Sequence, residues 1–493
     1  MVNRKPKGLV GKKDATIKAG IDEDLQVTAW GGLALVEHLA RQIGLWKKAE
    51  QLLPQRVQTY GYTSVNVAAS VVYGLLQGGQ GFQAAQALSE DTAAQRLLGL
   101  HHGVPEEATV YRAMCDLAGL AYRDGEATYV AEEGRARKRR VVGEVEEAQA
   151  LLLALLADWL RWQAAKLLPG LPRAATHLGP YLTVFGDATQ LEVDGRCFDA
   201  AEVDYNGNRS LQWGTLWVGP LLAAQVLRGG ARHEAQGLLP LLEPAQQEVL
   251  RQNHIEPQHV LALLDSAYGE EPVLAELERL GWRYLVGLST NPVLERTARE
   301  QPPEQWVNTG PRPANGWAES AACAMRYGAE GWDHSRTVIA RRFRREGELF
   351  TEYRFVVTDL GPAEVWPALP ESGLRYAEAL WRMYGHKQAR EVQYQTPLSD
   401  LGLHHPPSGR LGCNQVFYQL AGVALNLGVA LALVGMEKKE RGLRLWRLRT
   451  LYLAVAARVQ RHAGQVFVQA SGALEALRKK AWLNAFARVA HAW

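Results

Sequence analysis

YLTVFGDATQLEVDG, residues 181–195, decides the fold of this chain. An apolar run reaches an acid, Asp187, and then moves toward Asp194-Gly195, a strong turn dipeptide, so the stretch reads as a strand entering a hairpin. LQWGTLWVG (211–219) and LLAAQVLRGG (221–230) are two further β runs, with Asn206-Gly207 as a second turn signal. A helix follows (HEAQGLLPLLEPAQQEVLRQN, 233–253), then the strand HVLALLDSA (259–267), the helix EEPVLAELERLG (270–281) and the strand WRYLVGLS (282–289). Three strands, helix, strand, helix, strand is an α/β order. It places Asp187 on the first strand and Asp265 at the C-terminal end of the fourth, where an open sheet presents functional side chains. An unpaired carboxylate in such a setting costs several kcal/mol. Divalent cations held by oxygen ligands are an economical compensation, and they are also standard machinery for breaking and joining phosphodiesters.

Upstream, residues 1–168 read as helical. LALVEHLARQIGLWKKAEQLL, SVNVAASVVYGLLQ and FQAAQALSEDTAAQRLLGL carry apolar residues at three- and four-residue spacing, broken at GYTS and QGGQG. PEEATVYRAMCDLA opens on Pro105 and two acids and presents Thr109, Tyr111 and Arg112. It reads either as the reading helix of a helix-turn-helix module or as a plain amphipathic helix. EVEEAQALLLALLADWLRWQAAKLL then leads to LPGLPRAATHLGP, whose three prolines mark a boundary near 170.

Downstream, residues 291–361 interrupt the α/β pattern. QPPEQWVNTGPRPANGW is loop-like, whereas RTVIARRFRR and LFTEYRFVVTD alternate like antiparallel strands. Trp306, Trp317 and Trp332 in this stretch look more exposed than a small β module needs. Helical periodicity returns at LRYAEALWRMYGHKQAREVQYQ (374–395), where Tyr384, Lys387 and Glu391 fall at i, i+3 and i+7 and project from one face. Glu391 is thus a third acidic candidate. LAGVALNLGVALALVGM is near membrane-span length but contains Asn426, and reads as a buried helix with no membrane partner.

A chain of 493 residues is long for one core and divides into two to four domains; 47% hydrophobic and 22% charged residues fit a soluble globular protein. The N-terminal MVNRKPKGLVGKKDATIKAG has no apolar core, so no secretory signal is expected. Cys115, Cys197, Cys323 and Cys413 form no CxxC pair, which fits a reduced cytoplasmic protein without structural zinc. The net charge is only +3, but basic residues cluster. Arg4, Lys5, Lys7, Lys12, Lys13 and Lys18 lie at the start, Arg135, Arg137, Lys138, Arg139 and Arg140 form RARKRR, and eight basic residues stand against two acids from Glu437 to Arg461. Such clusters suit a phosphate backbone or are solvated surface.

The order Asp on strand one, Asp-Ser-x-aromatic after strand four, a β insertion, and Tyr-x-x-basic-x-x-x-Glu on a helix resembles the DDE transposases of bacterial insertion sequences, in the branch named for its Tyr-Arg-Glu-Lys signature. GDATQLEVDG, DSAYGEEPVLAELERLGWRYLVGLSTN and RLGCNQVFYQLAGVALNLGVAL carry the resemblance, which extends over most of the chain. It implies an α/β, RNase H-like catalytic domain (171–290 and 362–436) interrupted by a β-rich insertion (291–361). A helical DNA-binding region (1–170) would precede it, and a helical basic region (437–493) would follow. It further implies that Asp187, Asp265 and Glu391 hold two Mg²⁺ ions, replaceable by Mn²⁺. Tyr384, Lys387 and Arg390 would hold the strand's phosphate, with Arg112 and RARKRR as further DNA contacts. The partners would be double-stranded transposon ends and target DNA, bound by a homodimer in a synaptic complex in the bacterial cytoplasm, at the nucleoid when on DNA. The reaction would be hydrolysis at the transposon end followed by strand transfer.

Two positions depart from that signature. Its arginine is Lys387, and its lysine falls on Leu398 beside Pro397, so the helix is expected to end early and TPLSDLGLHHPPSG to be a loop. Either Arg390, Arg410 or another cation supplies that contact, or this copy is impaired. A DNA-binding protein of transposase descent and another RNase H-like nuclease remain alternatives. Glu192, Asp194 and Glu378 are weaker acidic candidates, and His404 and His405 read as loop residues.

Overall fold

Apolar periodicity upstream of residue 170 builds helices α1 (Leu33–Gln42), α2 (Ser64–Gln77), α3 (Glu107–Leu117) and α4 (Glu146–Leu167). Thr63 caps α2 by accepting the Asn66 N–H at 3.1 Å, and Gly78, at positive φ, ends it. The structure is a computed structural model that describes residues 26–53, 61–118, 128–132, 135–139, 146–194, 198–204, 206–309, 317–365, 376–388, 391–462, 465–471 and 476–493. The N-terminal basic residues, Arg140, Cys197 and Arg390 lie outside the described residues, as do the side chains of Arg135, Arg137, Lys138, Arg139, Trp317 and Glu391. The helical expectation for this region does not hold throughout. Thr128–Glu132 and Arg135–Arg139 pair as an antiparallel hairpin, so most of RARKRR lies on a strand.

The fold is mixed α/β around one large mixed sheet. Its longer strands are β1 (Tyr181–Glu192), β2 (Arg209–Val218), β3 (Leu221–Gly229), β4 (Val260–Leu264), β5 (Arg283–Leu288), β6 (Trp317–Tyr327), β7 (Arg336–Arg345) and β8 (Glu352–Thr358). They lie in the order β3-β2-β1-β4-β5-β8-β7-β6. β1, β2 and β3 form an antiparallel meander, and β4 and β5 run parallel to β1. The parallel strands are connected through α5 (Glu234–Ala245) and α6 (Glu271–Leu280). All five residues of β4 are buried, as a central parallel strand covered on both faces requires. The strands from 317 to 358 do not form a separate sheet. β8 pairs antiparallel with β5, and β7 and β6 extend the same edge.

After β8 come α7 (Tyr376–Gly385), α8 (Glu391–Asp400), α9 (Leu411–Gly435) and α10 (Ala476–Ala490). The single helix expected over 374–395 is two helices. Gly385, a poor helix former by about 1 kcal/mol relative to alanine, ends α7, and Glu391 starts α8. The expected loop from Thr396 is also corrected, because α8 continues through Pro397 to Asp400 and buries Leu398. α9 is long and apolar enough to cross a membrane, yet most of its apolar span is buried inside the protein. Asn426 fixes it to the sheet: its Oδ1 accepts the Leu222 N–H at 2.8 Å and its Nδ2 donates to the Leu222 carbonyl at 2.9 Å.

The C-terminal region is helical only in part. Ala457–His462 and Gln465–Ala470 form an antiparallel hairpin whose first strand also pairs with Val27–Thr28. Buried Ala457 and Val459 alternate there with exposed Arg458 and Gln460, a two-residue period that overrides the helical expectation.

Candidate active site

The parallel register of β1 and β4 sets Phe185 opposite Leu263. Asp187 and Asp265 each lie two residues further on, so they emerge side by side where the two strands end their pairing. Adjacent strands are only about 5 Å apart, so the carboxylates share one electrostatic environment. Asp265 follows directly on β4 and caps the short turn Ser266–Tyr268, its Oδ1 accepting the Ala267 N–H at 3.0 Å. Asp187 Oδ1 accepts the Ala188 N–H at 3.0 Å. Burial pushes the Asp187 carboxyl up to about 7, with the negative charges of Asp265 and Glu234 acting in the same direction and Lys387 opposing them.

Lys387 Nζ lies 3.7 Å from Asp265 Oδ2. Its placement follows from the break after α7: the Lys387 N–H donates to the Tyr384 carbonyl at 2.9 Å, so a local turn keeps Tyr384 and Lys387 together. Both line a cleft of about 840 Å³ with Asp265. The Tyr384 hydroxyl stands close against Gly287 at the end of β5, and burial together with Asp265 raises its pKa. That approach requires a residue without a side chain, because a Cβ on Gly287 would stand 2.7 Å from the Tyr384 Oη.

Glu234 is a fourth carboxylate that the sequence reading missed. It begins α5, and its pKa is raised by burial and then by Asp265, while Arg228 and Lys387 oppose the rise. Arg228 braces that helix start by donating to the carbonyls of His233 and Glu234. Acids in a first helical turn are common for reasons of the helix dipole, so Glu234 carried no distinguishing local signal.

The structure thus brings together Asp187, Asp265, Tyr384 and Lys387, four of the residues singled out from the sequence. Glu391 is the first residue of α8, four residues after Lys387. Arg112 is exposed on α3, in a different element, and among the described residues Arg135–Arg139 pairs only with Thr128–Glu132. Arg410 faces Asp199 at 3.7 Å rather than Asp265. Leu398 is packed in the core. Glu378 is buried on α7 and paired with Arg382 at 2.7 Å. Two of the three insertion tryptophans, Trp306 and Trp332, are packed rather than displayed. Trp306 is buried with the Arg342 guanidinium 4.4 Å from its ring centre, and Trp332 lies against Tyr327 and Arg336.

Among the described residues no three His, Cys, Asp or Glu side chains converge closely enough to hold a metal ion. The donor chemistry nevertheless fits a hard divalent cation. Asp187 and Asp265 are oxygen donors, and Asp187 is half-buried with a raised pKa, so a bound proton or cation would stabilise it there.

Residues 216–491 match the family described as transposase DDE domain group 1. The match takes in Asp265, Tyr384, Lys387 and Glu391 and begins downstream of Asp187. No curated protein matches the chain.

Proposed function

The chain belongs to this family of insertion-sequence DDE transposases, and on that premise we propose that it binds the terminal inverted repeats of a transposon, cleaves the DNA there and joins the freed end to a target. The observation that carries this reading is the pair Asp187 and Asp265, side by side where two adjacent parallel strands end their pairing, with Lys387 3.7 Å from the second. The strand order β3-β2-β1-β4-β5, an antiparallel meander followed by two parallel strands, supports the RNase H-like reading of the core.

In this reading Asp187, Asp265 and Glu391 hold the cations, Mg²⁺ or Mn²⁺. Bound there, the ions supply activation of the attacking water or 3′-hydroxyl and stabilisation of the leaving oxygen. The protein's own groups position the substrate. Lys387 offers ammonium donors to a non-bridging phosphate oxygen beside Asp265. Tyr384 lines the same cleft and keeps its proton, because burial and Asp265 raise its pKa, so its hydroxyl can be donated to a second phosphate oxygen. Two copies acting on paired ends in the bacterial cytoplasm complete the proposal.

The test is nicking of labelled DNA carrying the inverted repeats that flank the coding sequence, in Mg²⁺ and in Mn²⁺, with binding followed by gel shift. Metal-dependent nicking at the repeat end is the expected result. One observation favours a second reading, a DNA-binding protein of transposase descent that no longer cuts: the signature lysine position is Leu398, buried in the core. Binding without nicking in either metal would establish that reading and overturn the first.

A further inference from the structure

β7 and β8 set two arginines directly opposite each other, Arg341 against Arg354. Like charges facing across an antiparallel pair oppose the pairing of their strands, so this arrangement needs a compensating anion or a functional reason. Arg341 is fully buried. It donates to two neutral hydroxyls, Ser320 Oγ at 2.9 Å and Thr309 Oγ1 at 3.3 Å, and its guanidinium lies 5.4 Å from the Trp381 ring centre. Arg354 is exposed, with its guanidinium 5.4 Å from the Phe343 ring centre. Among the described residues no carboxylate lies within 4.0 Å of Arg354. Arg345 stands on the same face of β7 as Arg341, four residues on, and is half-exposed beside Glu352 at 3.1 Å.

All three arginines line the cleft that also holds Asp265, Tyr384 and Lys387. One wall of the cleft is therefore formed where β4 and β5 end, at Asp265, Ser266 and Gly287, and the other by guanidiniums carried on the strands added to the sheet edge. Guanidinium is suited to this task because it stays charged and offers forked donors to phosphate oxygens. Arg354 also acts on the Tyr384 hydroxyl, opposing the rise that burial and Asp265 produce, so the two walls are electrostatically coupled.

We infer that Arg354 and Arg345, with Arg341 behind them, form a phosphate-binding wall that holds successive phosphates of the DNA strand leading to Asp265. The inference rests on the reading of the site as a transposase active centre, and it adds where that strand runs. Arg341 is a positioning residue in this arrangement: its charge directs Arg354 outward into the cleft, and its stacking on Trp381 ties the wall to α7.

The full-length protein is titrated by fluorescence anisotropy with a duplex from the element's own end across a series of salt concentrations, without divalent metal. R354Q and R345Q should each lower the slope of log affinity against log salt by about 0.9, one phosphate contact on duplex DNA, or about 0.7 if the strand is unpaired there. R354K should restore most of the slope, and R251Q, on an exposed turn outside the cleft, should leave it unchanged. The thermal midpoint of R354Q without DNA should not fall, because the substitution removes a like-charge opposition; a merely structural arginine would lower it. Wild-type slopes in both R354Q and R345Q, with the wild-type protein binding normally, would overturn the inference and leave the transposase reading intact. A fall in stability of R354Q that R354K does not rescue would also overturn it. Failure of the wild-type protein to bind its own element's end at all would remove the underlying reading and this one with it.

Discussion

Gly287 and Tyr384 meet at the end of β5, where the phenol oxygen of one fills the space that a side chain on the other would need. A Cβ on Gly287 would meet the Tyr384 Oη at 2.7 Å, the Ser266 nitrogen at 3.0 Å and the Asp265 carbonyl carbon at 3.2 Å. Gly287→Ala should therefore push apart the two elements that carry Tyr384 and Asp265. A displacement near 1 Å at a reacting centre costs on the order of 100-fold in rate, so nicking should fall by about that factor while end binding persists. Gly287→Ala combined with Tyr384→Phe should be no worse than Gly287→Ala alone. Nicking assays on the three variants check this, and wild-type rates for Gly287→Ala would dismiss the close approach as unimportant.

Asp187 links the site to pH. Its carboxyl is raised from an ordinary value near 4 to about 7, chiefly by burial. A raised folded pKa favours folding most below the unfolded value, and that contribution is lost as pH climbs through about 7. Metal-free protein should thus lose stability between pH 5 and pH 8, by on the order of 2 kcal/mol from this residue. Asp187→Asn should abolish that part of the loss and be the more stable protein at pH 8. Urea unfolding in EDTA at both pH values measures it, and Mg²⁺ should raise the wild-type midpoint at pH 8 far more than that of Asp187→Asn.

Asp265→Asn and Glu391→Gln keep side-chain size while removing the charge that holds a hard cation, so each should reduce nicking by several orders of magnitude and spare binding. Groups acting through one centre are non-additive, and the double variant should be little worse than either single one. Glu330→Gln, in an exposed loop, serves as control. Glu378→Gln does not, because Glu378 is buried in an ion pair with Arg382. Normal nicking by Glu391→Gln would move the third ligand elsewhere.

Leu398→Lys writes the family's lysine back into the chain. Because Leu398 is packed in the core, a charge there must be buried or the helix displaced, and stability should drop by on the order of 3 kcal/mol with no gain in cleavage. Higher nicking by this variant at unchanged stability would show that α8 can turn that position toward the DNA.

The parts of the protein legible in the sequence are those set by local patterning. β1 through β5 announce themselves by apolar runs, alternation and turn dipeptides, and Asp187 and Asp265 are visible because an acid at the end of such a run is costly and therefore conspicuous. The turn that joins Tyr384 to Lys387 spans four residues, so their proximity was also readable, although the helix around them breaks at Gly385. The hairpin from Ala457 to Ala470 shows its two-residue period in retrospect. Tertiary structure alone decided what depends on register and packing between distant segments. Glu234 joins the acidic site because α5 crosses the meander, Arg341 faces Arg354 because β7 and β8 pair in that register, and Leu398 is buried because α8 rests on the core. The physical reason is that a residue's spacing along the chain determines which face of its own element it occupies, whereas the partner that face meets is chosen by the free energy of the assembled core.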